Sequence, residues 1–582
     1  MRFATYLCLV TVLACASPKA ALGATAPTGR DLALPHVPPA PRLAAPGPCD
    51  IAPWTAEGDQ ADGRFGTVAP AGDVNGDGYD DVLVGAYNYD HPEVDEGVVF
   101  LYLGSASGLA ATPAWIGEVD QAGAHLGDKL SGAGDVNGDG YDDIIAGAGL
   151  YDHGENDEGA AFLFLGSPAG PSTTPDWMVE GNQADAQFGG CVQAAGDVNG
   201  DGYGDVIVGA WLYDGGQTNE GRAFVYFGSD SGLADTPAWI GESDAVGAVY
   251  GYFCAGVGDL NGDGFDDIAV GARRYSDGGL SSAGRVYVYL GSPTGPSLAP
   301  DWTHDGDQAG GEVGAFVMGA GDADRDGFGD LIVGAFRYDH PERDEGMAWL
   351  FRGSAAGLST TAAWSAEGNQ RSCSFAYHLD GAGDVNHDGY SDVILSASGQ
   401  DVDGLIDAGR VYLYLGMPSG LATEPIWYQD GDQAGGALEA VRGVGDVNGD
   451  GFADFATGAL YRDNIYVDAG KAFVFYGCPF AQVSVPRDEP PALRLAIAGA
   501  NPFTRSTSIA FSIPARLPVR MSVHDVAGRS VRELVRLTME AGRHDTSWDG
   551  RTSGGAPVAA GIYVVRLEAG GSVRSVKLVR LP

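Results

Sequence analysis

Asp73-Val74-Asn75-Gly76-Asp77-Gly78-Tyr79-Asp80-Asp81 is the stretch on which the fold turns. Its pattern, Asp-x-Asn/Asp-x-Asp-Gly-x-x-Asp, returns at Asp135, Asp197, Asp259, Asp322, Asp384 and Asp446, at intervals of 62, 62, 62, 63, 62 and 62 residues. A fixed period of this length marks one supersecondary unit stacked on copies of itself. Around the first copy the chain reads as four short strands. Phe65 to Ala71 leads into the acidic loop and Asp81 to Tyr87 leaves it. Val98 to Leu103 is a β-branched and aromatic run, and a last strand lies around Trp115-Ile116. Clusters of Gly, Asn, Asp and Pro separate them, as turns separate strands. Four strands per repeat make a propeller blade, so the seven repeats predict an all-β chain built on a seven-bladed β-propeller.

Trp54, Trp115, Trp177, Trp239, Trp302, Trp364 and Trp427 each precede one acidic loop. A large apolar ring at a fixed place in every repeat suits packing between blades. The first of these strands, at Trp54, has no three strands before it, and the last repeat ends at Phe473-Val474-Phe475-Tyr476 with no Trp strand after it. The N-terminal strand is therefore expected to complete the last blade, which removes a free sheet edge. Cys478 follows the third strand of that blade, and Cys49 stands five residues before Trp54. In the other repeats this connection is continuous backbone. A Cys49–Cys478 disulfide is the expected replacement, with two unpaired thiols as the alternative.

The loop spacing also names a chemistry. Oxygen ligands at alternate positions, with a Gly at the sharp bend, are what a calcium ion requires. Positions one, three, five and nine supply side chains, and position seven supplies a backbone carbonyl. The first two sites are Asp73, Asn75, Asp77, Tyr79 and Asp81, then Asp135, Asn137, Asp139, Tyr141 and Asp143. The next two are Asp197, Asn199, Asp201, Tyr203 and Asp205, then Asp259, Asn261, Asp263, Phe265 and Asp267. The fifth is Asp322, Asp324, Asp326, Phe328 and Asp330, the sixth Asp384, Asn386, Asp388, Tyr390 and Asp392. Asp446, Asn448, Asp450, Phe452 and Asp454 complete the set. Arg325 and His387 replace the usual Gly at position four, and Asp324 replaces the usual Asn at position three. All seven sites are expected to hold a structural Ca2+. Asp and Asn also make plain turns, but seven loops with every ligand position filled go beyond that.

These residues resemble the FG-GAP repeats of integrin α-subunit propellers. Phe65-Gly66 and Phe188-Gly189 give the first half of that name, Gly85-Ala86 and Gly147-Ala148 the second. The resemblance runs from about Cys49 to Cys478. It implies calcium in the loops between first and second strands, and ligand binding on the opposite face. Filling all seven loops departs from integrins, and no inserted domain is present, so their mode of ligand recognition does not carry over.

On that opposite face the loops repeat Gly58-Asp59-Gln60-Ala61, Gly181-Asn182-Gln183-Ala184, Gly306-Asp307-Gln308-Ala309 and Gly431-Asp432-Gln433-Ala434. Beside them stand Tyr89-Asp90-His91, Tyr151-Asp152-His153 and Tyr338-Asp339-His340, each followed by Asp-Glu-Gly. Shared repeat ancestry explains such polar rims. A metal site or a polarised water is the sharper reading. No nucleophile elbow, His-Glu-x-x-His or phosphate loop occurs, so the chain is read as a non-enzyme.

The formal net charge is −45. From Pro486 onward there are 14 Arg/Lys and 8 Asp/Glu, which leaves 19 basic against 70 acidic residues, or −51, on the remainder. Such a surface excludes nucleic acid as partner, because phosphates need basic neutralisation. Residues 1–23 read as a signal peptide, with Arg2 before an apolar run and Ala21-Leu22-Gly23 as cleavage site. A lipoprotein anchor at Cys15 is the weaker alternative. No stretch is long enough for a transmembrane helix. The domain plan is then signal peptide 1–23, a Pro/Ala-rich spacer 24–48, propeller 49–478, linker 479–491 and a small β-sandwich 492–582. In that last part Ser508 to Ile513, Val519 to Val523 and Tyr563 to Leu567 alternate with period two. Asn501-Pro502-Phe503, Asp525-Val526-Ala527-Gly528-Arg529, Trp548-Asp549-Gly550 and Gly561-Ile562-Tyr563 resemble the Ig-like domain of the flagellar hook-assembly scaffold. That domain is similar to the sorting tails of type IX secretion, which implies contact with secretion machinery. The whole reads as a secreted or bacterial cell-surface protein for adhesion or binding of a glycan or protein ligand. The alternatives are a structural envelope component or, less favoured, a hydrolase or lyase on the loop face.

Overall fold

The computed structural model describes residues 52–479, 494–497, 501–513, 516–539, 542–570 and 572–581. The expected signal peptide, spacer and most of the linker lie outside the described residues. Among those described there is no helix. Residues 52–479 form seven four-stranded sheets. In the first, Phe65–Gly72, Asp81–Ala86, Val98–Tyr102 and Trp115–Gly117 pair antiparallel in chain order. The second and third strands end one residue earlier than their apolar runs do. At the second, Tyr89 N–H donates to Ala86 O, and the chain turns there.

Each second strand is buried along its length, as in Asp81–Ala86 and Asp205–Ala210. A strand covered on both faces needs a continuous apolar run rather than alternation. The cover comes from the neighbouring sheets. Phe65–Gly72 contacts the first strand of the next sheet, Lys129–Gly134, and also Leu438–Gly445 of the last. The first strands thus touch one another in an unbroken cycle. The last sheet takes its outer strand from the other end of the chain: Trp54–Glu57 pairs with Lys471–Phe475, Trp54 opposite Val474 and Glu57 opposite Lys471. Cys478 is disulfide-bonded; its expected partner, Cys49, lies outside the described residues. Cys191, Cys254 and Cys373 are free and buried.

The tryptophans join one sheet to the next. Trp54 meets Tyr102 edge-on at 4.7 Å, Trp115 meets Phe164 at 5.0 Å, and Trp427 meets Phe475 at 4.9 Å. The indole N–H is used as well. Trp54 donates to Ala110 O, Trp115 to Ser172 O and Trp239 to Ser297 O, each at 2.9 Å. One ring therefore supplies apolar area and a directed bond across each of these joints.

Sheets can approach this closely because the second strand carries a Gly. A Cβ on Gly209 would stand 2.1 Å from the carbonyl oxygen of Gly251 in the next sheet, and one on Gly147 2.0 Å from that of Gly189. The obstacle is backbone and cannot rotate away. Gly209→Ala is expected to cost at least ~2 kcal/mol by overpacking, read as a lower denaturant midpoint. An unchanged midpoint would show that the sheets have slack there. The sixth repeat departs from this rule with Ser396, whose hydroxyl accepts the His378 backbone N–H at 3.1 Å.

The C-terminal part is a sandwich of two sheets. One holds Arg494–Ile497, Thr507–Ile513 and Gly542–Trp548; the other holds Leu517–Asp525, Ser530–Met539, Gly561–Ala569 and Ser572–Arg580. Trp548 and Phe503 pack against Tyr563, Val565 and Leu567 in its core.

Candidate metal-binding loops and the opposite rim

The predicted residues at positions one to seven sit in the turn between a first and a second strand, and the ninth-position Asp opens the second strand. In the first loop Asp77 N–H donates to Asp73 Oδ1 and Asn75 Oδ1, both at 2.9 Å. Gly78 N–H donates to Asp73 Oδ2 at 2.8 Å, and Tyr79 N–H to Asp77 Oδ1 at 3.2 Å. The side-chain oxygens of positions one, three and five are thus gathered over one curl of backbone. Gly78 makes the bend at φ +90°, open to a residue without a Cβ. The same bonds recur around Asp135, Asp197, Asp259, Asp384 and Asp446, and around Asp322 all but the one to the third position. The seventh-position residues Tyr141, Tyr203, Phe265, Phe328, Tyr390 and Phe452 donate their N–H groups to the fifth-position Asp, as Tyr79 does.

The ninth-position carboxylates are fully buried: Asp81, Asp143, Asp205, Asp267, Asp330, Asp392 and Asp454. Asp81 Oδ2 accepts Val74 N–H and Oδ1 accepts Gly104 N–H, which ties the loop to the turn after the third strand. Burial, opposed by these two bonds and reinforced by the neighbouring carboxylates, pushes six of them up to about 7 and Asp392 to about 8. A cluster with this donor set fits a hard divalent cation, which would offset the burial of negative charge. In the fifth loop, ligating oxygens of Asp322, Asp324 and Asp330 lie within 4.8 Å of one another.

That fifth loop explains its own departures. Asp324 carries one charge more than the usual Asn, and Arg352 answers it at 2.8 Å. Arg352 stands where the first repeat has Leu103. Asp324 Oδ1 is buried without a hydrogen-bond partner, so an oxygen is left to face a cation. Arg325 and His387 adopt left-handed φ of +59° and +57°, the conformation taken by Gly76 in the first loop. Arg325 is held by a bond to Asp388 O at 3.3 Å.

One role was hidden in the sequence. The eighth-position Asp reaches back to the previous loop: Asp142 Oδ2 accepts Asp73 N–H at 2.8 Å and Asp266 Oδ2 accepts Asp197 N–H at 2.8 Å. Asp80 Oδ2 accepts Asp446 N–H at 2.6 Å, closing the cycle from first repeat to last. The only sign in the sequence is Asp at position eight in some repeats and Gly, Ser or Ala in others.

On the opposite rim most of the repeated residues prove structural. Gln60 spans to the next loop, giving Nε2 to Asp90 O and taking Asp90 N–H, and Gln121 and Gln308 do the same at Asp152 and Asp339. Tyr89 OH and Tyr338 OH donate to Asp59 and Asp307. Asp90 Oδ1 accepts Asp95 N–H, closing its own turn. The Asp of each Tyr-Asp-His is consumed in holding the loop, as are the Tyr89 and Tyr338 hydroxyls. The His side chain is left over.

Comparison with known proteins agrees with this architecture. The FG-GAP repeat model matches residues 65–102, 129–164, 194–226 and 255–289, and the FlgD Ig-like domain model matches residues 500–572. Integrin alpha-IIb of Mus musculus is 34% identical over 167 residues, covering 27% of this chain and 15% of that protein. Integrin alpha-3 of Cricetulus griseus is 32% identical over 230 residues, covering 38% and 21%. The chain thus spans about a fifth or less of the length of these relatives. A solved structure of PorZ, a bacterial surface component of the type-IX secretion system of Porphyromonas gingivalis, covers 86% of this chain and 64% of its own at 11% identity and a TM-score of 0.23. The chain carries FG-GAP repeats in an all-β propeller, followed by an Ig-like domain.

Proposed function

We propose that this chain is an exported binding protein without turnover, whose seven acidic loops each hold a structural calcium ion and whose opposite rim takes a glycan or protein ligand. The observation that carries the calcium reading is the set of seven buried ninth-position carboxylates, each placed beside the acidic side chains of its own loop. Calcium would be held by side chains at positions one, three, five and nine and by the backbone carbonyl at position seven, with Asp324 in place of Asn in the fifth loop. It would supply fixed positive charge that binds the loop together. With the loops so occupied, the face available to a ligand is the one built from Gln-clamped turns. Those clamps fix the backbone of the rim before anything binds, and a preorganised surface loses less entropy on binding. The integrin-like repeats support a place in adhesion or ligand binding. Residues 1–23 support export, and the Ig-like domain supports contact with secretion machinery.

The test is a glycan and extracellular-protein array probed with the full chain, in calcium and in chelator. Ligands should be retained in calcium and lost in chelator, with no product released from them. Retention on no surface, or release of cleaved product, would remove this reading.

A further inference from the structure

Three repeats present a His on the rim, and in one of them its surroundings ask for a cation. In the first repeat His91 Nδ1 is hydrogen-bonded to Glu118 Oε2, just past the outer strand, and stands 4.0 Å from Glu96 Oε1. The ligating atoms of His91, Glu96 and Glu118 lie within 4.8 Å of one another. Glu96 is wholly buried, and neither of its carboxylate oxygens has a hydrogen-bond partner. A carboxylate buried in that way is costly unless a cation or a proton meets it.

The third repeat shows what belongs in that space. There Gly215 replaces the His, and a Cβ on it would lie 2.5 Å from Arg222 Nη2, 2.5 Å from Glu220 Oε1 and 2.7 Å from Glu242 Oε2. The Arg222 guanidinium thus fills the corner between the two glutamates that correspond to Glu96 and Glu118. Arg285, Arg410 and Lys471 begin the third strand in three further repeats and pair with Asp305, Asp430 and Glu57. In the first repeat that position is Val98, so no side-chain cation arrives. The second and fifth repeats also carry a His, but their buried glutamates are satisfied otherwise. Glu158 and Glu345 accept backbone N–H groups on both oxygens. Glu96 alone combines the open corner with an unanswered carboxylate among these three.

We propose that His91, Glu96 and Glu118 form a binding site for a divalent metal of the zinc class, separate from the acidic loops. One imidazole nitrogen with two carboxylates suits zinc and its first-row neighbours, whereas calcium takes oxygen donors alone. The site lies on the rim face, and His91 and Glu118 are partly open to solvent. A coordination position therefore remains for water or for an oxygen of a bound partner.

The experiment uses the full chain with calcium in excess, so that the acidic loops are filled, and zinc chloride as probe. Retained zinc is measured by metal analysis after dialysis, and affinity by calorimetry. The wild type should retain zinc. His91→Ala and Glu96→Gln should each retain one equivalent less, or bind it at least ~10-fold more weakly. Glu96→Gln should keep the wild-type melting temperature in calcium without zinc, or exceed it, since it removes a buried charge and no apolar contact. A wild type that retains no zinc, or either variant keeping the full complement at unchanged affinity, overturns the assignment.

Discussion

Removing calcium with a chelator should lower the melting temperature of this protein by roughly 10 °C. A site at a ligand concentration of ten times its dissociation constant contributes about 1.4 kcal/mol to the folded state, and seven such sites about 10 kcal/mol. For a propeller of this size the entropy of unfolding near the midpoint is about 0.9 kcal/mol per degree, which sets the shift. Scanning calorimetry in calcium and in EDTA measures it directly. Identical melting curves would end the structural role of the loops.

The metal-free protein should also respond to pH in a defined sense. The seven buried carboxylates are held near 7 or 8 against a usual 3.8. The folded state therefore keeps protons that the unfolded chain has released. Between those values stability falls as pH rises, because the unfolded state binds fewer protons. Calcium should flatten that slope by taking the protons' place. The same melts repeated across acid pH, with and without the ion, read both effects.

Cys478→Ser is expected to be the most damaging single substitution at the ring's seam. Cys478 follows the strand Lys471–Phe475, and the proposed partner Cys49 precedes the strand Trp54–Glu57 that pairs with it. The crosslink would therefore guard a four-residue strand. Linking residues more than 400 positions apart removes about 6 kcal/mol of chain entropy from the unfolded state, of which native strain commonly leaves about 2–4 kcal/mol as stability. The melting temperature should drop by about 4 °C, and a reducing agent should produce the same drop in the wild type. Peptide mapping without reduction should recover Cys49 joined to Cys478. Recovery of Cys478 with another cysteine, or a variant that melts with the wild type, would reject the seam.

What the strand Trp54–Glu57 adds can be judged from its few contacts. It is four residues long, half-exposed, and bonded along one edge only. Trp54 still sends its ring to Tyr102 and its indole N–H to Ala110 O, across the joint to the first sheet. Loss of this strand would leave both Lys471–Phe475 and that joint uncovered, so a small segment controls closure of the whole ring.

Much of this architecture was legible in the chain because it repeats locally. The acidic loops, the short strands around them, the seven tryptophans and the missing outer strand of the last repeat are all features of consecutive residues at a fixed period. Turn chemistry and apolar runs act over a few positions, so their pattern survives in one dimension. The partners of individual side chains do not. Asp142 meets Asp73 from 69 residues away, Gln60 meets Asp90 from 30 and Arg352 answers Asp324. Each pairing needs the register of the sheets and the rotation from one blade to the next. For the same reason Tyr-Asp-His looked like one unit in sequence, yet the Tyr and Asp are spent on the loop while His91 turns to Glu118. Only packing tells a hydrogen-bonded buried carboxylate from one that is not: Glu158, Glu345 and Glu96 share the same Asp-Glu-Gly, and of the three Glu96 alone lacks a hydrogen-bond partner for either oxygen.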